Sequence, residues 1–293
     1  MKTSTAGSPE RIVGRVTMHD PTFGDVDDTS RPLAVLVHGF PDTPHTWRHL
    51  GPVLADAGYR VVATWLPGYR TAASGPVSVG TYVRHVLDVR NSFGGDDRAV
   101  LVGHDWGANA GYGAVVSDPT AFRRFVALAV PPTAALGSGL FGYRQLKRSF
   151  YIWFSQQVGL AESAFLEPGF WEGLWADWSP GYEPEQDISV LREYVDERTI
   201  GGVLGPYRAA FNPQFVDHAA VEDAMATFEK PPVPTYYLHG SQDGAIGAEL
   251  LGDVADHLTA PGSVFELVDG VGHFLHLERP GVIGSKIVAW LAD

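Results

Sequence analysis

Along the first 130 residues the chain switches between two hydrophobic periods. Leu33-Ala34-Val35-Leu36-Val37, Arg60-Val61-Val62-Ala63-Thr64, Ala99-Val100-Leu101-Val102 and Phe125-Val126-Ala127-Leu128-Ala129-Val130 are short runs, apolar at nearly every position. Strands apolar on both faces suit a parallel sheet covered by helices on either side. Between the runs, Trp47, Leu50, Leu54 and Ala57 recur at helical spacing after Pro44. Val79, Tyr82, Val83, Val86, Leu87 and Val89 do so more loosely. Strand, helix, strand, helix predicts right-handed βαβ crossovers and an α/β fold.

The alternation stops at Pro131-Pro132 and resumes after Lys230-Pro231-Pro232-Val233-Pro234. The stretch between is rich in aromatics, with Trp171, Trp175 and Trp178 at i, i+4, i+7. That spacing is helical, and the stripe is expected to serve as packing. Beyond the second proline cluster the pattern gives a strand at Thr235-Tyr236-Tyr237-Leu238, a helix near Ala248–Leu258, a strand at Val264–Val268 and a closing helix to Trp290. One interrupted α/β domain follows: core over residues 1–133, helical insertion over 134–232, core again over 233–293.

Hydrophobic residues are 45% and charged residues 19%, a globular balance that excludes disorder, coiled coil and collagen. Cys is 0, which removes disulfides, thiolate metal sites and a cysteine nucleophile. The net charge of -13 repels phosphate backbones and anionic membranes, so neither nucleic acid nor membrane is expected as a partner. The N-terminus, Met1 to Pro9, has no apolar segment of a signal peptide. The densest apolar run, Phe125 to Val130, falls far short of the ~18 residues of a membrane span. A soluble, cytoplasmic monomer or homodimer is expected.

The richest segment chemically is Val102-Gly103-His104-Asp105-Trp106-Gly107-Ala108. It leaves a buried strand and enters a small-residue helix. A strand-to-helix turn of the form G-x-nucleophile-x-G strains its central residue and exposes that side chain at the sheet's C-terminal edge. Here the central residue is Asp105. A carboxylate attacking a carbonyl would give an anhydride, whereas attack on a saturated carbon gives an alkyl ester that water can cleave. Asp105 at that turn therefore points to displacement at carbon, with an epoxide oxygen or a halide leaving. The alternative is that Asp105 only caps the helix, as Asp does well.

Two later segments add to the pattern. Asp243, in His239-Gly240-Ser241-Gln242-Asp243-Gly244, follows the strand after the insertion, and His273, in Gly270-Val271-Gly272-His273-Phe274, follows the last strand. Each would be commonplace alone. Together they give nucleophile, acid and histidine in order, each just past a strand end, where open α/β sheets bind ligands. His38-Gly39-Phe40-Pro41 follows the first buried strand, and the Phe40 and Trp106 N–H groups could form an oxyanion hole.

Taken together these motifs resemble the epoxide hydrolase branch of the α/β-hydrolase family, from about Leu33 to the C-terminus. The resemblance implies an α/β-hydrolase fold with a helical cap inserted after the sixth strand. It also implies two cap tyrosines that bind and protonate the epoxide oxygen. Tyr151-Ile152-Trp153-Phe154-Ser155-Gln156-Gln157-Val158-Gly159-Leu160-Ala161-Glu162 matches the family's stretch around the first, which falls on Tyr151. Tyr207, in Gly205-Pro206-Tyr207-Arg208, fits the second, with Tyr194 and Tyr182 in reserve. One departure is Thr64-Trp65-Leu66-Pro67-Gly68-Tyr69, where the family commonly carries an Asp-x-Arg-Gly-x-Gly-like loop.

The expected activity is conversion of a small-molecule epoxide to a vicinal diol. Asp105, His273, Asp243, Tyr151 and Tyr207 would be catalytic, with Phe40 and Trp106 binding substrate. The rivals are a haloalkane or haloacid dehalogenase using the same Asp, and a non-catalytic binding protein on the same fold. Phe40 offers no side-chain halide donor. Gly137-Ser138-Gly139-Leu140-Phe141-Gly142 spells a nucleotide fingerprint but lies too far past a strand, and is assigned to a hinge. His45 and His49 lack the Glu and third ligand of a zinc site. No cofactor and no metal are expected.

Overall fold

The computed structural model describes residues 20–293, so the reading of the N-terminal Met1–Pro9 segment lies outside the described residues. Seven strands form one sheet: β1 (Thr22–Phe23), β2 (Leu33–Val37), β3 (Arg60–Thr64), β4 (Val100–His104), β5 (Arg124–Leu128), β6 (Thr235–Gly240) and β7 (Val264–Val268). Their order is β1-β3-β2-β4-β5-β6-β7. All pairings are parallel except that of the two-residue β1 with β3, a strand too short to show a period in the sequence. The mostly parallel α/β sheet is thus as the pattern predicts.

Why the β-branched runs become central strands is visible in where their side chains go. Leu33, Val35 and Val37 enter one apolar core, while Ala34 and Leu36 enter another on the opposite face. Neighbouring strands split the same way: Leu101 against Val100 and Val102, and Phe125 and Ala127 against Val126 and Leu128. Helix 79–92 starts on a capping box, in which Ser78 accepts from the Thr81 N–H and the Thr81 hydroxyl accepts from the Ser78 N–H. The expected helix near 248–258 is instead two pieces, a 3-10 turn at Ala248–Leu250 and a short helix at Val254–His257. Gly252 sits between them and weakens helical continuity.

Between β5 and β6 every regular element is helical, from Thr133–Leu136 to Val221–Ala226. This segment follows the fifth described strand, where the resemblance implied the sixth; residues before 20 lie outside that count. Trp171, Trp175 and Trp178 are buried, and the Trp175 ring stacks on Phe274 at 3.5 Å, so the tryptophan stripe joins insertion to core. Gly137–Phe141 is a 3-10 turn that follows the short helix Thr133–Leu136 rather than a strand. No helix among the described residues is long and apolar enough to cross a membrane.

The chain turns back on itself at β2. From there β3 lies to one side and β4 to the other, so their connections diverge. Such a switch point opens a crevice beyond the strand ends. Val37 of β2 pairs with Gly103 of β4, which brings the segment after each strand to the same spot. Close approach there demands glycine: a Cβ on Gly107 would stand 2.1 Å from the Val37 carbonyl oxygen, and one on Gly103 would stand 2.3 Å from that of Gly107.

Because those contacts are with backbone, Gly107→Ala should destabilise by at least the ~1–3 kcal/mol typical of overpacking. Exposed Gly173, in the helix Phe170–Trp178, has open space around it, so Gly173→Ala should stabilise by about 0.5–1 kcal/mol. Urea titration of both variants checks the pair; similar values for the two would contradict the packing described.

Candidate active site

Asp105 ends β4 and begins the helix Trp106–Ser117 with φ 51°, ψ -118°. A non-glycine residue in such a conformation stores of order 1–3 kcal/mol of strain. Its side chain makes no capping hydrogen bond to the helix, which removes the helix-cap alternative. Instead Oδ1 accepts the Phe40 N–H at 2.7 Å. Phe40 can come this close only because Gly39 has no side chain: a Cβ there would lie 2.3 Å from the Asp105 Cβ. The departure loop braces this turn, with the Leu66 N–H donating to His38 Nε2 and the Tyr69 hydroxyl donating to the Gly39 carbonyl.

His273 faces Asp105 from the loop after β7. Its Nδ1 lies 2.9 Å from Asp243 Oδ2, and its Nε2 lies 3.6 Å from Asp105 Oδ2. Among the described residues, that Nε2 has no hydrogen-bond partner. Both His273 and Asp243 are buried. Burial alone would hold Asp243 neutral, but His273, His239 and the Ala245 and Ile246 N–H groups outweigh it and keep the carboxyl below the ordinary range. For His273, burial disfavours the cation, yet the Asp243 and Asp105 carboxylates on either side push its pKa upward. The imidazole therefore rests as a cation between two anions.

The insertion contributes to this geometry in a way the sequence did not signal. The Trp178 carbonyl accepts the N–H of Gly244 at 3.1 Å and that of His273 at 2.9 Å, and Ser179 Oγ accepts the Phe274 N–H. One helix end thereby ties the Asp243 loop to the His273 loop. Gly244 and Gly272 permit the approach, since a Cβ on either would collide with the backbone of Asp177 to Ser179. Backbone acceptors carry no residue-type signature.

Opposite Asp105, Tyr151 and Tyr207 line the same cavity, with ring centroids 5.4 Å apart. Burial, with help from the nearby Asp105 charge, raises both phenols well above their usual pKa, so both keep their protons. Among the described residues, the Tyr207 hydroxyl and Trp106 Nε1 have no hydrogen-bond partner. The motif around Tyr151 acquires a structural reason. Gln156 donates to the Tyr207 carbonyl, Glu162 pairs with buried Arg208 at 2.7 Å, and Arg208 donates to the Ser155 carbonyl. These contacts clamp one tyrosine's helix to the other's. The reserve tyrosines lie elsewhere: Tyr182 donates to Asp187, and Tyr194 packs on Trp65. The Phe40 ring sits amid Tyr151, Tyr207, Trp171 and Trp178.

Asp42, His104 and His276 form a second buried cluster beside His273, their donor atoms within 4.8 Å of one another. Sequence reading missed it because the three come from distant segments. Burial, reinforced by Asp187, raises Asp42 to about 8, and burial lowers His276 to about 3. Among the described residues, Asp42 Oδ2, His104 Nδ1 and His276 Nδ1 have no hydrogen-bond partner.

The shared features extend to known proteins. Residues 32–280 match the model of the α/β hydrolase fold family. Epoxide hydrolase A of Mycobacterium tuberculosis is 28% identical over 91% of this chain and 92% of its own. An epoxide hydrolase of Caballeronia sordidicola is 30% identical over 89% of this chain and 87% of its own. The solved structure of an epoxide hydrolase from an endophytic Streptomyces superposes with a TM-score of 0.72 at 25% identity, covering 89% of each chain.

The raised Asp42 value favours the folded state at low pH. That contribution is complete below the ordinary aspartate value of 3.8 and is lost as pH rises through about 8. Asp42→Asn keeps an oxygen for the Thr43 N–H and cannot ionise. The variant's Tm minus that of the unaltered protein should therefore grow steadily as pH is raised across that window. A constant difference would exclude ionisation of Asp42 from the stability balance.

Proposed function

The chain belongs to the epoxide hydrolase branch of the α/β-hydrolase family, and on that premise we propose that it hydrolyses an epoxide to a vicinal diol through an alkyl ester on Asp105. The observation that carries this reading is the placement of one carboxylate between a backbone N–H and an imidazole, on one wall of a cavity whose other wall holds two protonated phenols.

In this mechanism Asp105 Oδ2 attacks an epoxide carbon from the side opposite the breaking C–O bond. The departing oxygen takes a proton from Tyr151 or Tyr207. A positioned proton donor is worth roughly 10²–10⁴ in rate. Oδ1, already held by the Phe40 N–H, becomes the ester carbonyl oxygen. Water then attacks the ester carbon, and the developing oxyanion rests on the Phe40 N–H and, in this proposal, the Trp106 N–H. One such donor contributes ~2.7–4 kcal/mol. Collapse releases the diol and restores the carboxylate.

The charge arrangement times the two steps. Esterification removes the negative charge of Asp105, one of the two that hold His273 protonated. The imidazole cation is then easier to deprotonate, returning a proton to the tyrosine side or to solvent. Neutral His273, oriented by Asp243, is the base the water step needs. Domain roles follow the same division, with residues 134–232 as the cap that carries the tyrosines and the flanking core as the carrier of Asp105, Asp243 and His273.

Asp105→Ala should abolish diol formation, and His273→Gln should accumulate a covalent adduct equal in mass to the substrate. A single turnover in ¹⁸O-water should label Asp105 and leave the diol unlabelled; label in the diol would mean direct attack by water. Tyr151→Phe with Tyr207→Phe should slow ring opening by ~10²–10⁴-fold. Halide release from haloalkanes or haloacids without diol from any epoxide would favour the dehalogenase instead.

Because Asp105→Ala removes the same charge that esterification does, His273 should titrate at lower pH in that variant when followed by ¹⁵N NMR. An unchanged titration would separate the two groups electrostatically.

A further inference from the structure

The cavity in front of Asp105 has a volume of about 830 Å³, toward the upper end of the ~300–1,000 Å³ usual for small-molecule sites. Reaction of an epoxide ring occupies only the end where Asp105, Tyr151 and Tyr207 meet. The remaining wall is mostly apolar, with Val130, Leu136, Leu140, Ile152, Val216 and Ile246, and is interrupted by the uncharged polar side chains of Ser78, Asn109, Thr133, Ser149 and Thr227. The mouth continues this character. Phe141, Phe211, Val221, Met225 and Phe228 line the cavity and are also exposed to solvent, with Phe141, Met225 and Phe228 each more than half exposed. Exposed apolar side chains gathered around one opening mark a surface that meets apolar matter.

Charge around the cavity is one-sided. Among the described residues its lining contains two carboxylates, Asp105 and Asp217, and no Lys, Arg or His. Asp217 is already engaged by the Thr81 hydroxyl and the Ala219 N–H. Nearby Arg208 is committed to Glu162 and the Ser155 carbonyl. An anionic group drawn inside would lose water and find no counter-charge, an arrangement that costs heavily. The net charge of -13 adds repulsion at longer range.

We infer that the substrate is an uncharged epoxide carried at the end of a long apolar chain, whose tail fills the cavity and rests against the Phe141, Phe211, Met225 and Phe228 rim. The inference rests on the epoxide-opening reading for its reactive end and on the cavity wall for its tail.

A homologous series from 1,2-epoxybutane to 1,2-epoxydodecane tests it. With ~0.8 kcal/mol per buried methylene, kcat/KM should rise about fourfold per carbon until the chain reaches the rim, then level off. A mid-length member ending in carboxylate should fall at least about tenfold below its methyl ester, the scale of an unpaired buried charge. Met225→Ser with Phe228→Ser should lower kcat/KM for epoxydodecane several-fold more than for epoxybutane, and an equal loss for both overturns the inference. A flat chain-length series, or equal rates for acid and ester, overturns the inference. Calorimetric titration of unreactive n-alkanamides, butanamide to dodecanamide, separates the two readings. A flat affinity series beside measurable diol formation sinks the chain selectivity and leaves the chemistry. A steep series with no diol from any epoxide supports the selectivity and sinks the chemistry.

Discussion

The 2.7 Å hydrogen bond from the Phe40 N–H to Asp105 sets the terms for the rest of the molecule. It requires β2 and β4 to be neighbours, with their C-terminal ends in register. It requires Asp105 to adopt a backbone conformation that ordinary residues avoid. It also requires Gly39, Gly103 and Gly107 to have no side chains, since each would otherwise strike the turn. The strain at Asp105 is offset by the two cores on the sheet faces, because the elbow's strand and helix are both buried there. A site this constrained gains orientation of its carboxylate before any substrate arrives.

Around that bond the remaining groups divide between two bodies of structure. The core presents the carboxylate, its N–H partner and the acid–histidine pair. The helical segment presents the phenols, held to each other by Gln156, Glu162 and Arg208. Phe40 links the two, with its backbone serving Asp105 and its ring filling the space among the cap aromatics. Electrostatics follows burial: phenols stay protonated, the histidine pair of His104 and His276 stays neutral, and the one imidazole flanked by carboxylates gains its proton.

Much of this was legible in the chain because short-range rules govern it. The β2, β3 and β7 boundaries agree with the apolar runs to the residue, and for β2 and β3 burial on both faces leaves no ambiguity of period. The order Asp105, Asp243, His273 was readable because each lies just past a strand. Less was readable where a feature depends on distant segments meeting. Nothing local marks Asp42, His104 and His276 as neighbours, and a carbonyl such as that of Trp178 looks like any other in sequence. The helix expected near 248–258 failed for a local reason, a glycine within a run too weakly apolar to bridge it. Tyr182 and Tyr194 were distinguishable from Tyr207 only through packing.

The double acceptor at the Trp178 carbonyl has a mechanical consequence. Were the helical segment to lift along the edge formed by helix 170–178, both amide protons would lose their shared partner. The two loops would be left joined by the Gln242 N–H to Val271 carbonyl bond and the Asp243–His273 pair. Unlatching that edge removes a backbone anchor of the imidazole. The cavity reaches solvent elsewhere, at Phe141 and Phe228, so reactant and product can pass with that anchor in place.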